Sequence, residues 1–207
     1  MTEAPDAALD AFLGLVAEKG YANVALRDVA AGAGLALAEL YRRYPDKAAL
    51  VAGFLARIDA EVIAGTPAAG DPEETVRDRL FDVLMRRFDA LRPHRAAVRA
   101  IRRAGLGDPL LALSLGPAVR RSMAAMLEAA GVPTDGVAGA LRQTGLLAIY
   151  QAVSRVFERD ETADSSKTMA ALDSRLKRAE RWVQFFDKYT KRPDGKAPEP
   201  SPDQAST

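Results

Sequence analysis

Residues 26–50 read LRDVAAGAGLALAELYRRYPDKAAL, and this stretch decides the fold. Two short segments with apolar residues at helical spacing meet at Gly32-Ala33-Gly34. The second segment ends at Tyr44-Pro45, because the residue before a proline is pushed out of the α region. Two helices joined by a tight glycine-containing turn form a helix-turn-helix, whose second helix can lie in a DNA major groove. The stretch therefore predicts a DNA-binding head, with helices over 26–32 and 35–44.

The rest of the chain is predicted to be helical. Ala, Leu, Arg and Glu dominate, and the period-2 alternation of strands never persists. Helix starts are indicated by Asp46 and Asp71-Pro72, and a helix end is indicated by Gly131-Val132-Pro133. A kink or restart of the backbone is expected at Gly116-Pro117. The remaining predicted helices are about 5–19, 47–62, 71–91, 95–104, 109–130, 136–157 and 167–189.

This pattern predicts an all-α fold with a three-helix helix-turn-helix head and a larger helical domain. The glycine- and alanine-rich segment 65–70 separates the two units. We place the head and its linking helix at 1–65 and the larger domain at 71–190. Residues 193–207 hold four prolines and no large apolar side chain, so we expect a disordered tail.

Composition excludes several classes of protein and site. The 207 residues include no cysteine, which excludes disulfides, thiolate metal sites and cysteine nucleophiles. No run approaches the roughly 18 apolar residues of a spanning helix, and the acidic N-terminus lacks the cationic start of a signal peptide, so we expect a cytoplasmic protein. No nucleophile, phosphate-loop, dinucleotide or paired-histidine motif occurs, and His94 is the only histidine. We predict no enzymatic activity, no cofactor and no metal site.

Charge is distributed unevenly behind a formal net charge of +1. Residues 1–50 carry a net charge of −2, whereas residues 77–121 carry +7. The basic surplus therefore lies outside the predicted DNA reader. The arginines of this middle region, Arg86-Arg87 among them, could attract an acidic ligand or the DNA partner, or could be solvated and paired with Asp82 and Asp89.

The head resembles the DNA-binding head of the TetR family of bacterial repressors. The resemblance covers residues 9–50 and rests on an ordered pattern of Gly20-Tyr21, Leu26-Arg27-Asp28-Val29-Ala30, Gly34 and the stretch 40–50, LYRRYPDKAAL. It implies an all-helical homodimer that binds a double-stranded DNA operator. It further implies a linking fourth helix and a C-terminal domain that binds a small ligand and supplies the dimer interface, so that the ligand changes the separation of the heads and releases the operator.

The third helix departs from the family pattern at its start. Leu35-Ala36-Leu37-Ala38-Glu39 stands where the family usually has a Ser or Thr cap followed by small, polar or basic residues. Phosphate contacts remain available from tyrosine and basic side chains, and Glu39 could read cytosine N4. The alternative for the charged residues is a solvated face. The predicted DNA-binding residues are Arg27, Ala36, Leu37, Glu39, Tyr41, Arg42 and Lys47.

The predicted effector is a small apolar molecule. The inner faces of the C-terminal helices offer many large apolar side chains and few polar anchors. The same residues would also fill a plain core. The predicted pocket residues are Leu84, Met85, Phe88, Met123, Leu127, Gln143, Leu147, Tyr150 and Gln151.

The C-terminal part also resembles TetR-fold accessory proteins of ubiquinone biosynthesis. The match rests on residues 146–157, 160–164 and 168–176. It implies an alternative function, in which an isoprenoid or quinone lipid is bound and a terminal amphipathic helix contacts a membrane surface. That helix has an apolar face with aromatic residues beside it, but such a helix more often packs into the core or the dimer partner. The apolar face comprises Met169, Leu172, Leu176, Val183 and Phe186, flanked by Trp182, Phe185 and Tyr189.

Overall fold

The computed structural model describes residues 4–67 and 73–190 of the chain, and within these ranges it has helices and no strand. The prediction of an all-α fold is confirmed. The helices are α1 (Ala4–Lys19), α2 (Leu26–Ala33), α3 (Leu37–Arg43), α4 (Lys47–Ala64), α5 (Val76–Leu91), α6 (Arg95–Gly107), α7 (Pro109–Ala129), α8 (Gly136–Phe157) and α9 (Ser166–Thr190), with short 3₁₀ turns at Tyr21–Asn23 and Arg92–His94.

Helices α1, α2 and α3 form the head around a small apolar core. Phe12 and Val16 of α1, Val29 of α2 and Leu40 of α3 are almost fully buried together with Leu50 of α4. Burial of four or five such side chains is the main stabilising term for a unit of this size, at roughly 1.5–3 kcal/mol for each side chain. The helix-turn-helix predicted from the sequence is present.

The turn between α2 and α3 explains why α3 starts later than predicted. Gly34 adopts the left-handed conformation at φ 69°, which glycine reaches without strain. The amide of Leu35 then donates to the carbonyl of Ala30 at 2.9 Å and closes α2. Because Leu35 serves the end of α2 and Ala36 is extended, α3 begins at Leu37 rather than at residue 35.

Helix α4 belongs to both units. It starts after Pro45, where the Asp46 carboxylate accepts a hydrogen bond from the amide of Ala49 at 2.7 Å, as the sequence predicts. Its N-terminal part packs in the head, whereas Phe54, Ile58 and Val62 are buried along the rest of the helix, which packs on α5 and α7. Any movement of α4 therefore moves the head relative to the larger domain.

Three helices of the larger domain differ from prediction at their ends or breaks. Helix α5 starts at Val76, because Thr75 accepts from the amide of Asp78; the predicted cap at Asp71-Pro72 lies outside the described residues. Helix α6 extends to Gly107, beyond the predicted end at residue 104. It ends there because Pro109 disfavours the helical conformation of the preceding residue, Asp108. Helix α7 continues through Pro117 without a break, and the carbonyl that loses its partner there belongs to the solvent-exposed Leu113.

Helix α7 is the one helix of the described ranges that is long and apolar enough to cross a membrane by length and composition. The sequence had predicted no such helix. Its inner face, with Met123, Met126 and Leu127, is buried in the core, which a core helix of a soluble protein also shows. Its outer face leaves Leu110 and Leu113 exposed.

Helix α9 turns part of its predicted apolar face inward, but Met169 of that face is 42% exposed. Leu172 and Leu176 are buried, and the helix packs on α5 and α8. The side chains of residues 182–190, which include Trp182, Val183, Phe185, Phe186 and Tyr189, and the predicted tail at 193–207 lie outside the described residues. The membrane contact proposed for this helix stays a prediction.

Candidate functional site

The outward surface of α3 is exposed and largely apolar. Tyr41 is 58% exposed and Leu37 is 49% exposed, although both are large side chains. They form one wall of an open groove of about 860 Å³ whose other wall is the start of α2. We call this surface the α3 face; its lining residues are Ala25, Leu26, Arg27, Leu37, Ala38, Tyr41 and Arg42.

The structure therefore brings together most of the predicted DNA-binding residues. Arg27 and Arg42 place two guanidinium groups at the α3 face, and Ala36 and Glu39 are exposed on the same helix-turn-helix. Glu39 lines a second, smaller groove beside Arg42 and Arg43. One exposed carboxylate thus stands next to two exposed arginines. Leu40, Tyr44 and Leu50 are buried in the core.

Three acidic residues of the head are engaged in structural contacts. Asp10 forms an ion pair with Arg57 at 2.8 Å, and Asp46 caps α4. Asp28 accepts from the amide of Ala25 at the start of α2. A carboxylate at a helix N-terminus is partly offset by the helix dipole. The net charge of −2 over residues 1–50 therefore overstates the unpaired negative charge of the head.

Lys47 is the exception among the predicted DNA contacts. Its Nζ donates to the carbonyl of Tyr21 at 2.8 Å and lies 4.6 Å from the centre of the Tyr21 ring. Burial lowers the pKa of Lys47. These contacts tie the start of α4 to the 3₁₀ turn after α1. Lys47 is half-buried and lies outside the α3 face, so its role as a DNA contact stays a prediction.

A cavity of about 470 Å³ lies in the larger domain, where α4 meets α5, α6, α7 and α8. A volume of this size is in the range of small-ligand pockets. Its lining is mostly apolar. The lining residues are Val51, Phe54, Leu55, Arg87, Leu91, Val98, Ile101, Arg102, Gly105, Leu106, Ala112, Leu115, Gly116, Val119, Met123, Leu147, Tyr150, Gln151, Ser154 and Arg155.

The predicted pocket residues divide between this cavity and the core. Met123, Leu147, Tyr150 and Gln151 line the cavity. The other five do not: Leu84, Phe88 and Leu127 are buried in the core, Met85 packs against it, and Gln143 donates to the carbonyl of Thr134 near the start of α8. Phe88 stacks on Tyr150 and packs at a tilt of 39° against Phe157, so its ring belongs to the core.

The arginines of the cavity were not predicted as pocket residues. Arg87 is 1% exposed, and its Nη1 donates to the carboxylate of Asp59 on α4. Burial opposes the charged guanidinium, but Tyr150 and Asp59 outweigh this effect and raise the pKa of Arg87. A signal was present in the sequence: Arg87 falls on the same stripe of α5 as the buried Val83, Leu84 and Leu91.

Arg102 and Arg155 complete the polar part of the lining. Arg102 donates through Nε and Nη2 to both carboxylate oxygens of Glu158, and these hydrogen bonds raise the pKa of Arg102. This bidentate pair neutralises the guanidinium. Arg155 is exposed at the cavity rim.

His94 is half-buried. Its ring meets Phe54 edge to face, with 5.3 Å between ring centres. Burial, followed by the charge of Arg57, lowers the pKa of His94. Within residues 4–67 and 73–190, no group of three or more His, Asp or Glu side chains is placed to hold a metal ion.

Comparison with known proteins gives a consistent result for the head and for the fold. Residues 8–53 match the model of the family described as bacterial regulatory proteins, tetR family. The chain is similar to the solved structure of a TetR transcriptional regulator from Nitrosomonas europaea ATCC 19718, with 23% identity, a TM-score of 0.69, and 87% of this chain and 99% of that chain covered. No curated protein matches the chain.

Two further solved structures are similar over most of their length. A TetR transcriptional regulator from Rhodococcus sp. RHA1 is 26% identical, with a TM-score of 0.59 and 84% of this chain and 96% of that chain covered. The multidrug binding protein EbrR, solved in complex with imidazole, is 23% identical, with a TM-score of 0.52 and 85% of this chain and 96% of that chain covered.

Proposed function

We propose that this chain, whose residues 8–53 match the tetR family model, is a homodimeric TetR-type repressor whose cavity controls its affinity for an operator. In this proposal the two α3 faces bind successive major grooves of one operator. A small ligand with a largely apolar body enters the cavity and causes release. The observation that carries the proposal is the exposed α3 face, with arginines at its edge.

The α3 face supports DNA binding by two kinds of contact. Arg27, Arg42 and the hydroxyl of Tyr41 can bind phosphate oxygens, which fix the position of a protein on the duplex. The exposed side chains of Ala36, Leu37 and Ala38 offer apolar contact to thymine methyl groups in the major groove. Because this face has few donors for base edges, we expect affinity to depend strongly on phosphate contacts and therefore on salt.

The outer surface of α8 supports homodimerisation through the C-terminal helices. Val137 is 90% exposed and Leu141 is 73% exposed, and Gly145 and Ala148 follow on the same side of the helix. Small residues beside exposed apolar ones let a second helix approach closely, and a two-fold dimer would pair this surface with itself. The occupant that we propose is a second copy of the chain.

Helix α4 offers the route from the cavity to the head. Val51, Phe54 and Leu55 line the cavity, while Lys47 and Leu50 at the start of the same helix are held in the head. A ligand that displaces Val51, Phe54 and Leu55 therefore displaces α4, and the N-terminal end of α4 is packed against the helix-turn-helix. In a dimer, a small rotation of each α4 helix changes the separation of the two α3 faces.

DNA binding is tested by a mobility-shift assay on the DNA that flanks the chain's own reading frame, repeated from low to physiological salt. We expect a retarded band whose intensity falls steeply as salt rises. Absence of a salt-sensitive band on every operator-sized fragment would overturn the proposal.

Dimerisation is tested separately with two matched leucine substitutions. Leu141→Glu on α8 places a charge in the proposed interface, and Leu113→Glu places the same charge on the outer face of α7, where the leucine is 75% exposed. We expect light scattering to show a monomer for the first variant and a dimer for the second. A dimer for both variants would place the interface elsewhere.

A further inference from the structure

The ion pair between Arg87 and Asp59 joins the wall of the cavity to the helix that leads to the head. Arg87 lies on α5 and Asp59 on α4, and their side chains are in direct hydrogen-bond contact. Asp59 also accepts from the hydroxyl of Ser122 on α7 at 2.7 Å. The guanidinium lies 5.4 Å from the centre of the Tyr150 ring on α8. The buried guanidinium of α5 therefore contacts α4 and α8, and its partner Asp59 also joins α4 to α7.

Arg87 has a donor that the described residues leave unused. Its Nε–H is buried and finds no hydrogen-bond acceptor among them. A buried donor without an acceptor is unfavourable, and native structures rarely leave one unmatched. Arg87 is also part of the cavity wall. The missing acceptor can thus come from a molecule that occupies the cavity.

The rest of the lining suits the apolar body of such a molecule. Phe54, Leu91, Ile101 and Leu115 provide apolar surface. Tyr150 and Ser154 of α8 add polar atoms to the lining, and the Tyr150 ring lies beside Arg87. Arg102 is already neutralised by Glu158. The cation of the wall that is both buried and short of an acceptor is Arg87.

We propose that the cavity binds an amphipathic carboxylic acid, whose apolar body fills the cavity and whose carboxylate accepts from the Nε–H of Arg87, so that it shares the guanidinium with Asp59, which accepts from Nη1. This inference rests on the proposed role of the cavity as the effector site and names the chemistry of the effector. A charge-assisted hydrogen bond to the guanidinium selects the ionised acid over a neutral molecule of the same shape.

Competition for one guanidinium couples the ligand to α4. When a second carboxylate binds Arg87, the cation is shared between two anions, and the contact that holds Asp59 in place weakens. Because coupling between two sites is reciprocal, removing the charge of Asp59 must strengthen binding of the acid. A ligand that merely fills an apolar cavity has no such dependence on Asp59.

The test compares decanoate with 1-decanol by calorimetric titration of the full chain. We expect Arg87→Met to raise the Kd for decanoate at least tenfold and to change the Kd for decanol less than threefold. Arg87→Lys keeps the charge without the planar fork and should give an intermediate loss for decanoate. Arg99→Gln, which removes an exposed arginine outside the cavity, should leave both Kd values unchanged.

Asp59→Asn provides the second arm of the test. We expect this variant to bind decanoate at least threefold more tightly than the unmodified protein and to bind decanol equally well. Circular dichroism of each variant checks that it is folded, and Arg87→Lys carries the comparison where Arg87→Met does not fold.

Three results would overturn the inference: equal losses for decanoate and decanol in Arg87→Met, weaker binding of decanoate to Asp59→Asn, or no binding of decanoate to the unmodified protein. Calorimetry needs no DNA, so these results are independent of the mobility-shift assay. A protein that binds decanoate as described and fails to bind DNA would refute the repressor function alone.

Discussion

Replacing Arg42 by alanine should remove one phosphate contact from each head without disturbing the fold. The side chain is exposed on the α3 face, and its helix is held by Leu40, which is buried on the opposite side. We therefore expect the free energy of unfolding to change little, within about 0.5 kcal/mol, as for other surface substitutions. The effect should appear in DNA binding.

The expected magnitude follows from the number of phosphate groups that the variant no longer binds. A dimer presents Arg42 twice, and each bound phosphate adds roughly 0.9 to the slope of log K against log salt concentration. The slope should therefore fall by about 1.8. If the two Arg42 phosphate contacts contribute nothing to affinity near 1 M salt, the affinity of Arg42→Ala at 0.1 M salt should be roughly 60-fold lower than that of the unmodified protein.

Fluorescence anisotropy with a labelled DNA fragment, titrated at several salt concentrations, measures both quantities. Arg121→Ala, which removes an exposed arginine of α7, is the matched control and should leave the slope unchanged. Glu39→Gln should act in the opposite direction and strengthen binding, because it removes a carboxylate beside Arg42 and Arg43. An unchanged slope for Arg42→Ala would mean that the α3 face does not meet the phosphate backbone.

The other predictions concern stability and can be read from thermal unfolding. Lys47→Met should destabilise the protein by about 1 kcal/mol because the hydrogen bond to Tyr21 is absent, whereas a Lys47 that served only DNA would leave Tm unchanged. Asp160→Ala should cost about 3 kcal/mol, because the buried carboxylate accepts from the amides and hydroxyls of Thr162 and Thr168, and Asp160→Asn should cost less. Burial alone would raise the pKa of Asp160, but these hydrogen bonds outweigh it and hold the pKa well below its usual range. The stability that Asp160 contributes is therefore fully present above about pH 5 and declines as the pH falls below about 4, the unfolded-state pKa. If the unmodified protein and Asp160→Ala differ in stability by the same amount at every pH, this prediction is wrong. Gly53→Val should cost about 1–3 kcal/mol, since a Cβ at this position would lie 2.8 Å from Cε1 of Tyr44, and an unchanged Tm would show that the ring moves freely.

Local signals predicted the fold well because they act within a few residues. Pro45 and Asp46 fixed the boundary between α3 and α4, and Gly34 fixed the turn before α3. The start of α3 was wrong by two residues. Leu35 has helical spacing with α3, but its amide donates to the carbonyl of Ala30 and closes α2. The spacing of apolar residues alone does not show to which of two neighbouring helices a residue belongs.

The functional residues were harder to predict because their partners are distant in sequence. Lys47 has the charge of a phosphate contact, and only the fold shows that its Nζ meets the carbonyl of Tyr21, 26 residues earlier. For Arg87 the sequence left open an acidic ligand, the DNA partner or a solvated pairing, and the structure shows a partner on another helix, Asp59. Arg92 does pair with Asp89, as one alternative had predicted. Which core residues leave a cavity also depends on ring stacking that no periodicity encodes.

Because α4 packs in both units, the head should not fold or unfold independently of the larger domain. Phe54, Ile58 and Val62 would lose their covering if the chain were cut just after this helix, because α5 and α7 supply it. A fragment ending at residue 66 should therefore aggregate instead of folding as an independent head domain. Calorimetry of the intact chain should accordingly show a single endotherm, and limited proteolysis should not release a stable N-terminal piece.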